Sequence, residues 1–354
     1  MIKIAIQSKM KYDILRTLVN TASPSGAEGN LKEIFNGLRY RHFRLYQSAN
    51  KSLYYILNRG SKHTIIFDAH IDQIHARIRT VREDGIIIAR PIGFDAESFS
   101  GQRVIIHSAT RDIEGIIQTQ PPHLNQVTKT NNIKENKFMY IDTGLTQKEL
   151  SSLVINGDSI TFDAEYKEIG RNYITGPGLD NKASAFVLIN LMHRLDKTPP
   201  NCNIIVNFSS REEVGSSTIN YIMNHSKLSE LFAGDVSLIV VDTHLGIQNT
   251  AVDEHEIEVN IDIGKGPTVE NDATTSQEML RTVQRIAKKR KIPIQFQYTD
   301  FGGTNKTNYD LVVNAKSIDI GVPLRNMHSA VETVDKRDLK WTEELLYAYI
   351  QESC

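Results

Sequence analysis

The chain has 354 residues, longer than most single hydrophobic cores sustain, so two domains are expected. Its 41 Lys plus Arg stand against 42 Asp plus Glu, which removes any electrostatic reason to expect nucleic acid or an anionic membrane as partner. Two cysteines, Cys202 and Cys354, are too few for a disulfide framework and fit a reducing compartment; with no apolar leader and no run of eighteen apolar residues, a cytoplasmic protein is expected.

In chain order, Ile14, Leu15, Leu18 and Val19 form one helical stripe and Ile34, Phe35 and Leu38 another, joined by a turn at Ser23, Pro24, Ser25 and Gly26. The run Thr64, Ile65, Ile66, Phe67 reads as a short buried strand. From about Arg77 to Asp163 the period is two, in R-I-R-T-V, G-I-I-I-A-R, R-V-I-I-H-S, E-G-I-I-Q-T, K-F-M-Y-I-D and D-S-I-T-F-D. Glu83, Asp84 and Gly85 give a hairpin signal between the first two. Many short strands with almost no helix suggest a small barrel or sandwich.

Strand and helix alternate again after Gly178. Helices are expected at Ala183 to Leu195, Ser216 to Asn224, Thr275 to Lys289 and Lys336 to Gln351. Strands are expected at Asn203 to Phe208, Ser237 to Val241, Glu256 to Ile263, Ile294 to Tyr298 and Ser317 to Ile320. The basic run Lys288 to Lys291 then lies on a helix's wet face. The pattern argues an α/β fold: a three-layer domain with a central mixed sheet, made of residues 1–76 and 171–354, interrupted by an all-β insert, 77–170.

The ionisable residues fall after the strands of the α/β part. His70 and Asp72 follow the first strand in F-D-A-H-I-D, Glu212 and Glu213 follow Phe208, Asp242 follows L-I-V-V, and His328 lies a few residues beyond S-I-D-I-G. Asp180 sits in G-P-G-L-D-N-K, whose glycines fit neither a P-loop nor a dinucleotide fingerprint. Singly, each has a plain reading: a solvated loop for the tandem glutamates, a hydrogen-bonded histidine for His70, a turn or helix cap for Asp242 and Asp180. In an open α/β sheet, however, these positions gather at one rim outside the carboxyl ends of the strands. So many carboxylates in proximity raise one another's pKa unless a cation joins them. Imidazole with carboxylate and no cysteine fits a catalytic zinc, cobalt or manganese site, and the number of donors suits two ions sharing a carboxylate. Asp72 is placed to orient an imidazole.

The segments A-H-I-D, G-P-G-L-D-N-K, R-E-E-V-G-S-S, V-V-D-T-H and N-M-H-S-A-V-E-T-V together resemble the tetrahedral, or TET, aminopeptidases, which include glutamyl aminopeptidases and relatives once named endoglucanases. E-G-I-I-Q-T-Q-P-P-H-L is similar to a segment of that family's dimerisation domain. The resemblance implies two divalent ions per subunit, bridged by Asp180. His70 and Asp242 complete one, Glu213 and His328 the other, and Glu212 serves as general base. It also implies peptide substrates, a dimerising insert and a dodecamer. Gln73, His75 and Asn305 stand where the family usually has Glu, Gly and Asp. A related dinuclear amidohydrolase (carboxypeptidase or deacylase), a glycosidase without metal dependence, and a non-catalytic assembly protein are the alternatives. No G-x-S-x-G elbow supports a covalent route.

Overall fold

In the run Thr64 to Phe67, Ile65 and Phe67 pack into a core on one side of a sheet while Ile66 packs on the other. The neighbouring strands repeat the alternation: Ile204, Val206 and Phe208 against Ile205, and Ile239 against Leu238 and Val240. Successive side chains of a strand point to opposite faces, and a sheet covered on both faces therefore needs continuous apolar runs.

This is the frame of the computed structural model, which describes residues 12–119, 123, 137–215, 228–246, 261–298, 303–310 and 313–354. The main path of its large mixed sheet runs, in spatial order, Arg44–Gln47, Leu53–Leu57, Asn203–Ser209, His63–His70, Asp235–Val240, Lys316–Arg325, Glu332–Asp335, Tyr173–Gly176 and Lys167–Ile169. The four strands from Asn203–Ser209 to Lys316–Arg325 are parallel neighbours. Helices Asp13–Val19, Leu179–Lys197, Gln277–Arg290 and Lys336–Ser353 supply the core of one face. Tyr309, Leu228 and Leu231 close the other. The expected helix at Ser216 to Asn224 and most of the expected strand at Glu256 to Ile263 lie outside the described residues.

The period-two region forms a closed antiparallel barrel. Around it run His75–Val81, Ile87–Ile92, Met139–Asp142, Asp112–Ile117, Arg103–His107 and Ser159–Phe162. Its interior holds Ile78, Ile87, Ile106, Ile141 and Ile160. At Gly115 a Cβ would come within 2.7 Å of Ile141 Cγ2, so the close inward packing of these strands requires glycine there. The chain leaves the large sheet at His70 and enters the barrel at His75.

One expectation is corrected. Cys202 and Cys354 form a disulfide, with Cα atoms 5.3 Å apart, although their number argued against disulfides. The helix Lys336–Ser353 packs along the sheet with its last turn beside the start of strand Asn203–Ser209, which brings together two thiols 152 residues apart in sequence. Among the described residues no helix is long and apolar enough to cross a membrane.

Candidate active site

The parallel register decides where the first donors meet. Ser209 lies beside His70, and Val240 beside Asp68, so three adjacent strands end together. His70 closes its strand, the Glu212–Val214 turn follows the second, and Asp242 follows the third. Asp180 comes from the first turn of Leu179–Lys197, which departs from helical angles at Asp180 and Asn181 after Gly178 at φ 62°. His328 lies in the turn between Lys316–Arg325 and Glu332–Asp335, itself at φ 58°.

Asp180 is the centre of the cluster. One carboxylate oxygen lies 3.2 Å from His70 Nε2 and the other 3.3 Å from His328 Nε2. Asp242 Oδ1 stands 3.6 Å from His70 Nε2, and Glu213 Oε2 stands 3.6 Å from His328 Nε2. Two triads result, His70, Asp180 and Asp242, and Asp180, Glu213 and His328; within each, one donor atom per residue lies within 4.8 Å of the others.

The electrostatics show a centre short of positive charge. Burial, then the Asp180 carboxylate, pushes Glu213 well up; burial also pushes Asp242 well up, with His70 opposing and Asp180 adding. Burial pulls His70 down, but Asp242 and Asp180 overcome it and hold the imidazole well above its usual range. Burial raises Asp180, yet its bonds to His328 and His70 win and keep it low. Glu213 Oε1 is buried with no hydrogen-bond partner. An orphaned buried carboxylate oxygen beside like charges is costly, and a hard or borderline divalent ion in each triad relieves it. The donor set therefore fits two such ions.

The tandem glutamates leave the strand in a turn, not in extended chain. Arg211 takes φ 63° and starts a 3-10 turn, Glu212–Val214. The turn separates the two carboxylates: the Glu213 side chain is 4% exposed, and that of Glu212 is 18% exposed, with Oε2 4.0 Å from His70 Nε2. Burial raises the Glu212 carboxyl, partly offset by His70.

Asp72 does more than face an imidazole. His70 Nδ1 lies 3.2 Å from the Asp72 backbone carbonyl and 3.5 Å from its carboxylate. That carboxylate accepts the backbone N–H groups of Glu212 and Glu213 at 3.0 and 3.2 Å, and the Ser25 hydroxyl at 2.6 Å. Glu332, not singled out from the sequence, does the same for the other half. Its oxygens accept the N–H of Asp180 at 3.0 Å and of His328 at 2.9 Å, and it is 1% exposed. Its only sequence signal is a place in the motif N-M-H-S-A-V-E-T-V, four residues after His328.

The three departures have structural roles. Gln73 Oε1 accepts the Ser23 N–H at 3.1 Å and the Lys182 ammonium at 2.6 Å, while fully buried Lys182 is pushed down to about 7 by burial. His75 is buried at the start of the barrel, where burial holds its imidazole down to about 4. Asn305 donates at 2.9 Å to Asp68 Oδ1, a fully buried carboxylate that also takes the Tyr309 and Ser209 hydroxyls. An aspartate at 305 would set two buried carboxylates against each other, so here the amide is the matched partner.

His70, Asp180, Glu212, Glu213, Asp242 and His328 line one cavity of about 330 Å³, whose walls include His244, Glu270, Asp272, Gln297, Lys306 and Asp319. His244 was also missed. Its Nδ1 lies 2.6 Å from Thr268 Oγ1, its Nε2 is buried without a partner, and Gly321 makes room for it, since a Cβ there would come within 2.4 Å of the ring.

Known proteins share this fold. A lysyl aminopeptidase of Pyrococcus furiosus is 22% identical over 305 residues, 83% of each chain. An aminopeptidase of the archaeon Desulfurococcus kamchatkensis superposes with a TM-score of 0.82 at 24% identity, over 96% of this chain and 94% of that one. The TET1 peptidase of Pyrococcus horikoshii, which assembles into a tetrahedron or a large octahedral shell, gives 0.79 at 24% identity over 96% and 98%. The family model described as M42 glutamyl aminopeptidase matches residues 53–345, a span that holds all six donor and base candidates, and the chain accordingly belongs to that family of metal-dependent peptidases.

Proposed function

We propose that the chain removes N-terminal residues from peptides at a dinuclear centre, with zinc or cobalt, or else manganese, held by His70, Asp180 and Asp242 on one side and by Asp180, Glu213 and His328 on the other. The carrying observation is Asp180, whose two oxygens face two different imidazoles. When bound, two divalent ions lower the pKa of a shared water toward neutrality and polarise the scissile carbonyl. Glu212, the more exposed of the tandem pair, takes the proton from the attacking water and returns it to the leaving amine. Its raised pKa suits both transfers. Asp72 and Glu332 hold the backbone that carries these groups.

The cavity's charge favours an amino end over a carboxyl end. Among the described residues seven carboxylates and one ammonium line it, so two divalent ions leave that lining net negative. A peptide's N-terminal ammonium is attracted there and its C-terminal carboxylate repelled. Prolonged chelation is expected to abolish hydrolysis of free aminoacyl amides, added zinc, cobalt or manganese to restore it, and N-blocked substrates to stay uncleaved throughout. Full activity in a sample shown to be metal-free, or equal turnover of N-blocked substrates, removes the proposal.

The barrel is proposed to supply subunit contacts, leading to a closed assembly of twelve. Ile116 and Tyr140 stand on its outer face, 51% and 39% exposed, and the barrel contributes no donor to either triad. Sedimentation at micromolar concentration and moderate salt should show a large closed particle; a monomer there contradicts the assembly.

A further inference from the structure

Among the described residues a third group of metal-ligating side chains lies at the opposite rim of the large sheet. His63 opens the strand His63–His70, and Cys202 immediately precedes its parallel neighbour Asn203–Ser209. Register pairs Asn203 with Thr64, so one step back Cys202 falls beside His63. The last helix, Lys336–Ser353, brings Cys354 to the same point, its Cα 5.3 Å from that of Cys202. One donor atom from each of His63, Cys202 and Cys354 lies within 4.8 Å of the others. His63 and His70 stand at the two ends of one strand, about 23 Å apart at about 3.3 Å per residue, so this cluster is separate from the two triads.

The disulfide joins the two sulfurs but does not account for the imidazole. His63 Nε2 lies 3.4 Å from Ser237 Oγ, at the long limit of a hydrogen bond, so that contact holds the ring weakly. Cys354 is exposed, which gives a reductant access to the bond, whereas Cys202 is 1% exposed. In a reducing compartment such a bond opens to two thiols. Two thiolates and an imidazole suit a zinc-type ion, and they do not suit calcium or magnesium, which take oxygen ligands. Bonds of about 2.3 Å to sulfur and about 2.0 Å to nitrogen set tetrahedral donors about 3.5 to 3.8 Å apart. That spacing falls within the present 4.8 Å, so side-chain rotation suffices to reach it.

We propose that the reduced protein binds a zinc ion through His63, Cys202 and Cys354, with water completing the coordination on the side where Cys354 is exposed. The ion and the disulfide are alternative clasps between the last helix and the start of two adjacent strands. Reduction adds two electrons and two protons across the S–S bond and gives two thiols. A phosphine supplies the electrons and becomes its oxide, taking the oxygen from water, whose two protons go to the sulfurs. Zinc binding then releases both thiol protons to solvent.

The test compares the full chain oxidised and reduced with a trialkylphosphine, each equilibrated with zinc, dialysed and analysed for metal. Reduced protein should hold one ion per subunit more than oxidised protein. With cobalt as the probe, near-ultraviolet thiolate-to-cobalt charge-transfer absorption should appear only after reduction, since the two triads contain no sulfur. Cys354→Ser should abolish both that absorption and the extra ion, and the position is exposed, so the fold should tolerate the change. His63→Gln should weaken the extra ion's affinity by at least about 10- to 100-fold, the cost of losing even an outer partner of a metal ligand. Both variants should hydrolyse aminoacyl amides at the parental rate, because neither residue lines the cavity of the two triads. Equal metal content in the two redox states, cobalt absorption that survives in Cys354→Ser, or unchanged affinity in His63→Gln overturns the proposal. So does a loss of hydrolysis in step with the extra ion, which places that ion at the triads instead. The metal measurements decide the matter whether or not the peptidase reading stands.

Discussion

Glu212→Gln is expected to retain its full complement of metal while kcat falls about 10²-fold or more, the scale of losing a general base. The expectation follows from where the 3-10 turn sends each carboxylate. Glu212 Oε2 lies 4.0 Å from His70 Nε2 and remains partly open to the cavity, and Glu212 belongs to neither triad. Glutamine preserves the backbone N–H that Asp72 accepts, so the turn should survive. Because the lost transfer belongs to the transition state, kcat should carry the effect and KM should move little. Glu213→Gln is the control. It replaces an anionic donor with a neutral one in the triad with Asp180 and His328, so it should lose metal and regain part of its activity when metal is in excess. Metal analysis beside steady-state kinetics decides between the two roles. Near-normal turnover in Glu212→Gln, or metal loss in that variant rather than in Glu213→Gln, means that the roles are exchanged or absent.

Asp180→Asn should be more damaging to metal binding than any other single change in the rim. Asp180 is the one residue common to both triads. Its amide replacement removes an anion from between His70 and His328 and presents an NH₂ group to one of them. Losing an outer partner of a metal ligand costs about 10- to 100-fold in affinity, and losing a shared anionic ligand should exceed that at both positions. Dialysed Asp180→Asn is expected to hold less than one ion per subunit and to lose hydrolysis by more than about 10²-fold. Its Tm should no longer rise on adding zinc or cobalt, since a ligand stabilises only the fold that binds it. Circular dichroism of the metal-free variant, matched to metal-free parent, separates this from misfolding. A variant that still binds two ions shows that the bridge lies elsewhere.

The metal-donor candidates were legible in the sequence for a specific reason. A parallel sheet covered on both faces produces apolar runs such as Ile204 to Phe208 and Leu238 to Val241, and chemistry collects where those runs stop. His70, Glu213 and Asp242 could thus be assigned to one rim from local pattern alone. The barrel was legible through alternation, as in Asp112–Ile117, where exposed and buried residues strictly alternate. Short strands such as Arg44–Gln47, Thr243–Leu245 and Glu332–Asp335 were not, because three or four residues carry too little periodicity and their pairing partners supply the conformation.

What the sequence by itself determined is the set of elements whose burial is periodic, the break between the α/β pattern and the all-β pattern, and the chemical identity of the donor candidates at the strand ends. Tertiary structure alone decided the rest, because each remaining feature depends on a contact between segments far apart in the chain. Glu332 is an ordinary glutamate until it accepts the N–H of Asp180, 152 residues away. Lys306 reads as a surface lysine until Asp272 and Asp319 enclose it. Cys202 and Cys354 read as free thiols until the last helix is laid along the sheet. Glu270 and Gln297 become neighbours only through strand register. A buried carboxylate that binds backbone N–H groups leaves no periodic trace, since its partners contribute no side chain to the pattern; only packing shows which backbone groups need it.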